Sequence, residues 1–120
     1  NDPGGSIRER VDRIVSLDRS KTFVEIRGRY CFSACTLYLA LRRVCVLETT
    51  VFGFHGPASP IYGFSLPPQK FDYWSKIMAE HYPEPLRSWF LTTGRFRTVG
   101  FYEILGARLI EYGVPRCKAA

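Results

Sequence analysis

Two residues in the stretch from Val24 to Pro57 have the types and the spacing for nucleophilic catalysis. Ser33 lies in Cys31-Phe32-Ser33-Ala34-Cys35, between a strand-like run and an apolar helical one, and His55 ends a second strand-like run from Val51. The 55 − 33 = 22 residues of separation hold one helix and a return strand. That topology brings the tip of the last strand back beside the start of the helix. There an imidazole can take the hydroxyl proton while the oxygen attacks a carbonyl. Alone, a Ser in such a turn serves packing, and a His on an apolar strand edge is a hydrogen-bonded core residue. A third element changes the balance: Gly4-Gly5 makes a turn before a helix, with backbone N–H groups free to meet a developing negative charge. The three together predict a serine-hydrolase site of proteolytic type.

The elements that must position these residues can be read along the chain. Asp2-Pro3-Gly4-Gly5 is a turn signal, and Ser6 with Glu9 three residues on is a capping box. Ile7, Val11, Ile14 and Val15 then predict an amphipathic helix over 6–16. Residues 22–26 read as a strand, and Gly28 permits an unusual backbone angle before the Ser33 turn. Ala34, Leu37, Tyr38 and Leu41 predict a short buried helix, followed by strands over 44–47 and 51–55. Strand, helix and strand with such short links imply a parallel βαβ unit and an α/β protein. Residues 56–68 form a Pro/Gly-rich loop suited to bordering a cleft. Helices are expected over 69–81, 84–92 and 101–112. The aromatic pair within 68–94 forms a helical arm that packs on the sheet or faces another subunit.

One domain over 1–120 is expected, with 46% hydrophobic and 23% charged residues. No apolar run of about 18 residues suits a transmembrane span, and the N-terminus has no apolar core of a signal peptide. It opens inside a loop, so a preceding piece is expected. The net charge of +6 comes from 13 Arg and 4 Lys against 11 acids. The arginines are scattered rather than gathered with aromatics, which argues against nucleic acid as a partner. Cys31, Cys35, Cys45 and Cys117 allow three pairings in two bridges, and they lack the ligand spacing of a zinc site. A bridge among the first three would pin the Ser33 turn, and Cys117 could tie down the C-terminal end. That would fit an oxidising, extracytoplasmic compartment, periplasmic or exterior; buried free thiols are the other reading.

The order Asn1-Asp2-Pro3-Gly4-Gly5-Ser6-Ile7, helix, strand, Gly28-Arg29-Tyr30-Cys31-Phe32-Ser33-Ala34-Cys35, then Phe52-Gly53-Phe54-His55-Gly56-Pro57, resembles the Clp protease family of serine peptidases. That family has the crotonase-like fold. The Cys-x-Ser-Ala-Cys segment with a later Phe-His, and His81-Tyr82-Pro83 followed by Trp89 and Gly94, resemble its bacterial extracytoplasmic members more narrowly. The resemblance implies a parallel sheet with βαβ units and C-terminal helices, lacking the family's upstream strands. It makes Ser33 the nucleophile, His55 the general base, and the Gly4-Gly5 turn with Ala34 the oxyanion hole, with Gly5 and Ala34 giving N–H groups. Phe101 falls where the family has its Asp, so Glu103 is the nearest acid for the third role. No metal or organic cofactor is implied. The partners would be a peptide or protein substrate and further copies of the chain. Lys70 and Lys76, as Ser–Lys partners, sit at surface-like positions. The rivals are a non-catalytic binding or assembly module of the same fold, a thioesterase or hydratase using carboxylates, and a disulfide-stapled structural module.

Overall fold

Two parallel crossovers, interleaved along the chain, carry the α/β fold. A computed structural model describes residues 1–59 and 65–119. Helix α1 (Ile7–Arg19) leads to β1 (Val24–Ile26) and β2 (Tyr30–Phe32). A 3-10 helix (Ser33–Ala40) then precedes β3 (Val44–Val46) and β4 (Val51–Phe54). Helices α2 (Pro68–Ala79) and α3 (Leu86–Thr92) follow, then β5 (Tyr102–Leu105) and α4 (Gly106–Glu111). β1 pairs parallel with β3, while β2 pairs parallel with β4, whose other side takes β5 antiparallel.

Besides the strand expected over 22–26, a second one therefore precedes Ser33, in a different sheet. Gly28 lies at the break between them, and its role is closeness: a Cβ there would stand 2.6 Å from the Asn1 backbone nitrogen. The N-terminal residues add a neighbour to β2. Asp2 N–H donates to the Tyr30 carbonyl at 3.3 Å, and Phe32 N–H donates to the Asp2 carbonyl at 2.9 Å. The helix after Ser33 is of the 3-10 type, and its residues 34–37 are all buried.

The expected helix over 101–112 is a strand followed by a helix. Residues 102–105 find an open edge on β4, and pairing with it satisfies their backbone groups where a first helical turn would leave N–H groups unmet. Gly106 marks the change of direction, since a Cβ there would lie 1.9 Å from the Leu47 carbonyl oxygen. α1 extends past its expected end to Arg19, with the Ser6 hydroxyl accepting the Glu9 N–H at 3.2 Å as the cap.

The core holds Leu37, Val46, Phe52, Phe54, Tyr82 and Phe90, with Met78, Leu86 and Leu109 beside them. From α2 come Met78 and Ala79, and from α3 Leu86 and Phe90, while Tyr73 of α2 is exposed. Disulfides join Cys31 to Cys35 and Cys45 to Cys117, and there are no free cysteines. Among the described residues, no helix is long and apolar enough to cross a membrane.

Candidate active site

Ser33 sits where β2 stops and the 3-10 helix starts, with φ of 56°. A left-handed conformation is disfavoured for a residue with a Cβ, because that atom crowds the carbonyl oxygen. Several constraints hold it. The Cys31–Cys35 disulfide spans the turn with Cα atoms 5.3 Å apart. Phe32 is fixed in the ladder on one side by Asp2 and registers with Gly53 of β4. The Thr36 hydroxyl donates to the Ser33 carbonyl at 2.6 Å. Ala34 lies in the first turn, where backbone N–H groups have no intrahelical acceptor.

The Gly4-Gly5 turn comes to this serine because Asp2 is stitched to β2. Gly4 has φ of +107°, and a Cβ on it would lie 2.8 Å from the Ser33 Cβ and 3.3 Å from its Oγ. Only a glycine fits at that approach. The turn is held by Asp2, whose Oδ1 accepts the Gly4 N–H at 3.0 Å and whose Oδ2 accepts from Arg10 at 2.7 Å. Burial opposes charge on the Asp2 carboxyl, but the Arg10 and Gly4 bonds and the Arg10 charge outweigh it and leave its pKa below the usual value. The Gly4 N–H is thus already engaged, and what Gly4 gives the site is room. The Gly5 N–H has no acceptor among the described residues.

His55 follows the last residue of β4 and is half-buried. Its Nδ1 is 2.5 Å from the Gly56 carbonyl oxygen. A carbonyl can only accept, so Nδ1 carries a hydrogen, and in the neutral ring Nε2 is then the nitrogen with the lone pair, the tautomer a general base needs. Gly56 is anchored in turn, with its N–H donating to the Arg97 carbonyl at 2.9 Å. A Cβ on Gly56 would lie 1.8 Å from the Arg95 carbonyl oxygen.

The position beside His55, just before β5, belongs to an aromatic ring. β4 and β5 register Phe54 with Tyr102 and Gly53 with Glu103. Continuing that pairing sets Phe101 next to His55, with ring centroids 4.9 Å apart. Phe101 also stacks on Phe32 at 4.5 Å, over Gly53, where a Cβ would lie 2.5 Å from the Phe32 ring. Glu103 is exposed and two register steps further along. Among the described residues no hydrogen bond joins it to His55; it borders a second cavity of about 670 Å³ along the free edge of β5. The carboxylate expected in the third role thus makes no hydrogen bond to the imidazole, whose Nδ1 side faces the Gly56 carbonyl.

Gly5, Ser33 and His55 line one cavity of about 580 Å³, with Arg8, Trp74 and Met78 among its other walls. The loop after His55 borders it through residues 56–59 and 66; its residues 60–64 lie outside the described residues. Lys70 and Lys76 are not part of this wall, and Lys76 pairs with Asp72 at 2.9 Å. Among the described residues the one cluster with the donor types of a metal site is Glu25, Cys45 and Cys117. Its two sulfurs are joined in a disulfide and offer no thiolate.

In comparisons with known proteins, no family model matches the chain and no curated protein matches it. The site accordingly stands on its own geometry. Sequence reasoning missed Asp2 as the anchor of the glycine turn, although an Asp two residues before a glycine is an Asx-turn signal. It also missed Thr36 and Trp74. Trp74 reaches the cavity from a helix whose packing no local pattern discloses.

Proposed function

We propose that the chain is a serine-type hydrolase acting on peptide bonds, with a Clp-like, crotonase-like arrangement of its sheet. The observation that carries this reading is the meeting of three things in one cavity. These are a serine held in a left-handed turn, a glycine turn pressed against that serine, and a histidine whose Nε2 is left basic. Ser33 Oγ attacks the peptide carbonyl and His55 Nε2 takes its proton. The amine leaves with that proton, and water then hydrolyses the acyl-enzyme by the same exchange. The Gly5 and Ala34 N–H groups receive the oxyanion, in a place where such donors need no reorganisation as charge develops. The Gly56 carbonyl, rather than Glu103, orients the imidazole. Two disulfides support residence in an oxidising, extracytoplasmic compartment. Exposed Tyr73 and Phe96 are in keeping with assembly into oligomers.

A second reading, a non-catalytic binding module, is favoured by one observation: an aromatic ring fills the place beside His55 where an acid would strengthen its basicity. Intact-mass labelling with a fluorophosphonate separates the two. A single adduct on the wild type, absent from Ser33→Ala and His55→Ala, is the expected result. A folded wild-type protein that takes no adduct would leave the binding module as the function.

A further inference from the structure

The Ser33 carbonyl is the end of a buried chain of hydroxyl groups that starts far away in sequence. Thr36 Oγ1 donates to that carbonyl at 2.6 Å and lies 2.6 Å from the Tyr82 hydroxyl, 46 residues on. Thr36 is 0% exposed and Tyr82 1% exposed. Either oxygen of the Thr36–Tyr82 pair could in principle donate. The inventory of protons decides it: Thr36 has one hydroxyl hydrogen, which the Ser33 carbonyl takes because a carbonyl cannot donate. Tyr82 must then be the donor. The direction Tyr82 → Thr36 → Ser33 is fixed, and each hydroxyl has a partner, as groups buried this deeply require.

We infer that Tyr82 is a positioning residue for Ser33, acting through Thr36 to hold the serine in its left-handed turn. A Thr that bonds back by three residues is common in helices and by itself would be local chemistry. The long-range hydroxyl makes it more than that. With Tyr82 donating to Thr36 Oγ1, turning the Thr36 proton toward the phenol would set two O–H groups head to head and strip the Ser33 carbonyl of its donor, so that carbonyl is kept pointing inward. That orientation is what turns the side chain of Ser33 toward Gly4 and the cavity. Tyr82 is itself immobilised by edge-on contacts with Phe54 and Phe90, at 5.3 and 5.1 Å between ring centroids. Phe54 immediately precedes His55, so one tyrosine braces the strand that carries the base and the turn that carries the serine. Burial pushes the Tyr82 pKa upward, against the weaker opposing effect of the Thr36 bond, which keeps the phenol a donor across the working pH range.

This inference deepens the hydrolase reading and rests on it for the word nucleophile, so its test has an arm independent of labelling. Tyr82→Phe and Thr36→Val each remove one hydroxyl, Thr36→Ser keeps it, and all are compared well below their melting temperatures. Two quantities are measured: the rate of fluorophosphonate adduct formation at saturating probe, and the Ser33 Cα and Cβ chemical shifts, which report its backbone conformation. Tyr82→Phe and Thr36→Val should slow adduct formation about tenfold, the rate equivalent of one lost buried hydrogen bond. Apparent probe affinity should hold, and the Ser33 shifts should move away from left-handed values. Thr36→Ser should restore both. A Tyr82→Phe protein with wild-type Ser33 shifts and wild-type adduct formation overturns the inference. A wild type that never labels, but whose Ser33 shifts move in Tyr82→Phe, sinks the hydrolase reading and leaves the positioning role standing.

Discussion

The two disulfides tie two regions that solve different problems. Cys45–Cys117 joins β3 to the C-terminal segment across 72 residues, beside a ladder in which Cys117 N–H donates to the Val46 carbonyl at 2.9 Å. Cys31–Cys35 spans only four residues and encloses Ser33. A cross-link over a long loop acts mainly on the unfolded chain, whose freedom it removes, and hardly needs to shape its surroundings. A cross-link over a few residues takes little freedom from the unfolded chain, and its main effect is to restrict the local backbone. The first region is therefore a clamp and the second a mould. The mould surrounds the one non-glycine residue, besides Lys21, that has positive φ among the described residues.

Removing each bridge in turn separates the two roles most directly. Replacing Cys45 and Cys117 by Ala should cost about 4 kcal/mol of unfolding free energy on the loop-entropy estimate. Ser33 labelling at low temperature should stay near the wild-type rate. Replacing Cys31 and Cys35 by Ala should cost only about 2 kcal/mol by the same estimate, yet slow labelling more than the larger loss does. Urea denaturation alongside labelling kinetics reads both. If the clamp variant loses labelling and the mould variant keeps it, the assignment of roles is reversed.

Gly4→Ala sharpens the picture from the other side of the serine. Its Cβ would meet the Ser33 Cβ at 2.8 Å in a backbone conformation that L side chains avoid. A loss of about 1–3 kcal/mol in stability is expected from the strained angle. A sharp drop in labelling should accompany it, because the clash falls on Ser33, the proposed nucleophile. Gly113→Ala provides the control: its φ is also positive, at +104°, but no atom lies within 4 Å of the added Cβ. It should lose comparable stability and leave labelling intact.

The smallest effect is set by pH. The folded Asp2 carboxyl has a pKa below its ordinary 3.8, so it binds its proton less readily in the folded state than in the unfolded chain. Its contribution to stability is therefore present above about pH 4 and is lost as pH falls through the folded value. Urea midpoints between pH 6 and pH 2 should fall more steeply for the wild type than for Asp2→Asn. Equal slopes would mean that Asp2 does not brace the glycine turn.

Much of this site is legible in the sequence because its parts are local signals. A Ser between a strand-like and an apolar helical run, a His closing Val51–Phe54 and a Gly-Gly pair before a capped helix each follow from backbone preferences over a few residues. Whatever depends on pairing is hidden. One strand is read over 22–26, with the serine turn directly after Gly28, whereas Tyr30–Phe32 is a second strand with a different partner. Residues 102–105 carry a pattern that serves a helix or a strand, and the open edge of β4 decides it. The third role beside His55 is hidden for the same reason. Counting along the chain leaves Glu103 a near neighbour, whereas the antiparallel register gives the place to Phe101 and moves the carboxylate two pairs away.

By itself the sequence determined an α/β chain, the serine, histidine and glycine elements in order, and four cysteines available for two bridges. Those are matters of composition and short-range periodicity, which act before any long-range contact forms. Only the tertiary structure decided that Cys31 pairs with Cys35 around the serine and that Asp2 stitches the glycine turn to β2. It likewise decided that a carbonyl faces Nδ1 of His55 and that Tyr82 reaches Thr36 from 46 residues away. Each of these depends on which surfaces meet when the apolar residues are buried, and burial is non-directional. Register, hydrogen bonding and steric fit then select one meeting among many, and no window of neighbouring residues contains that choice.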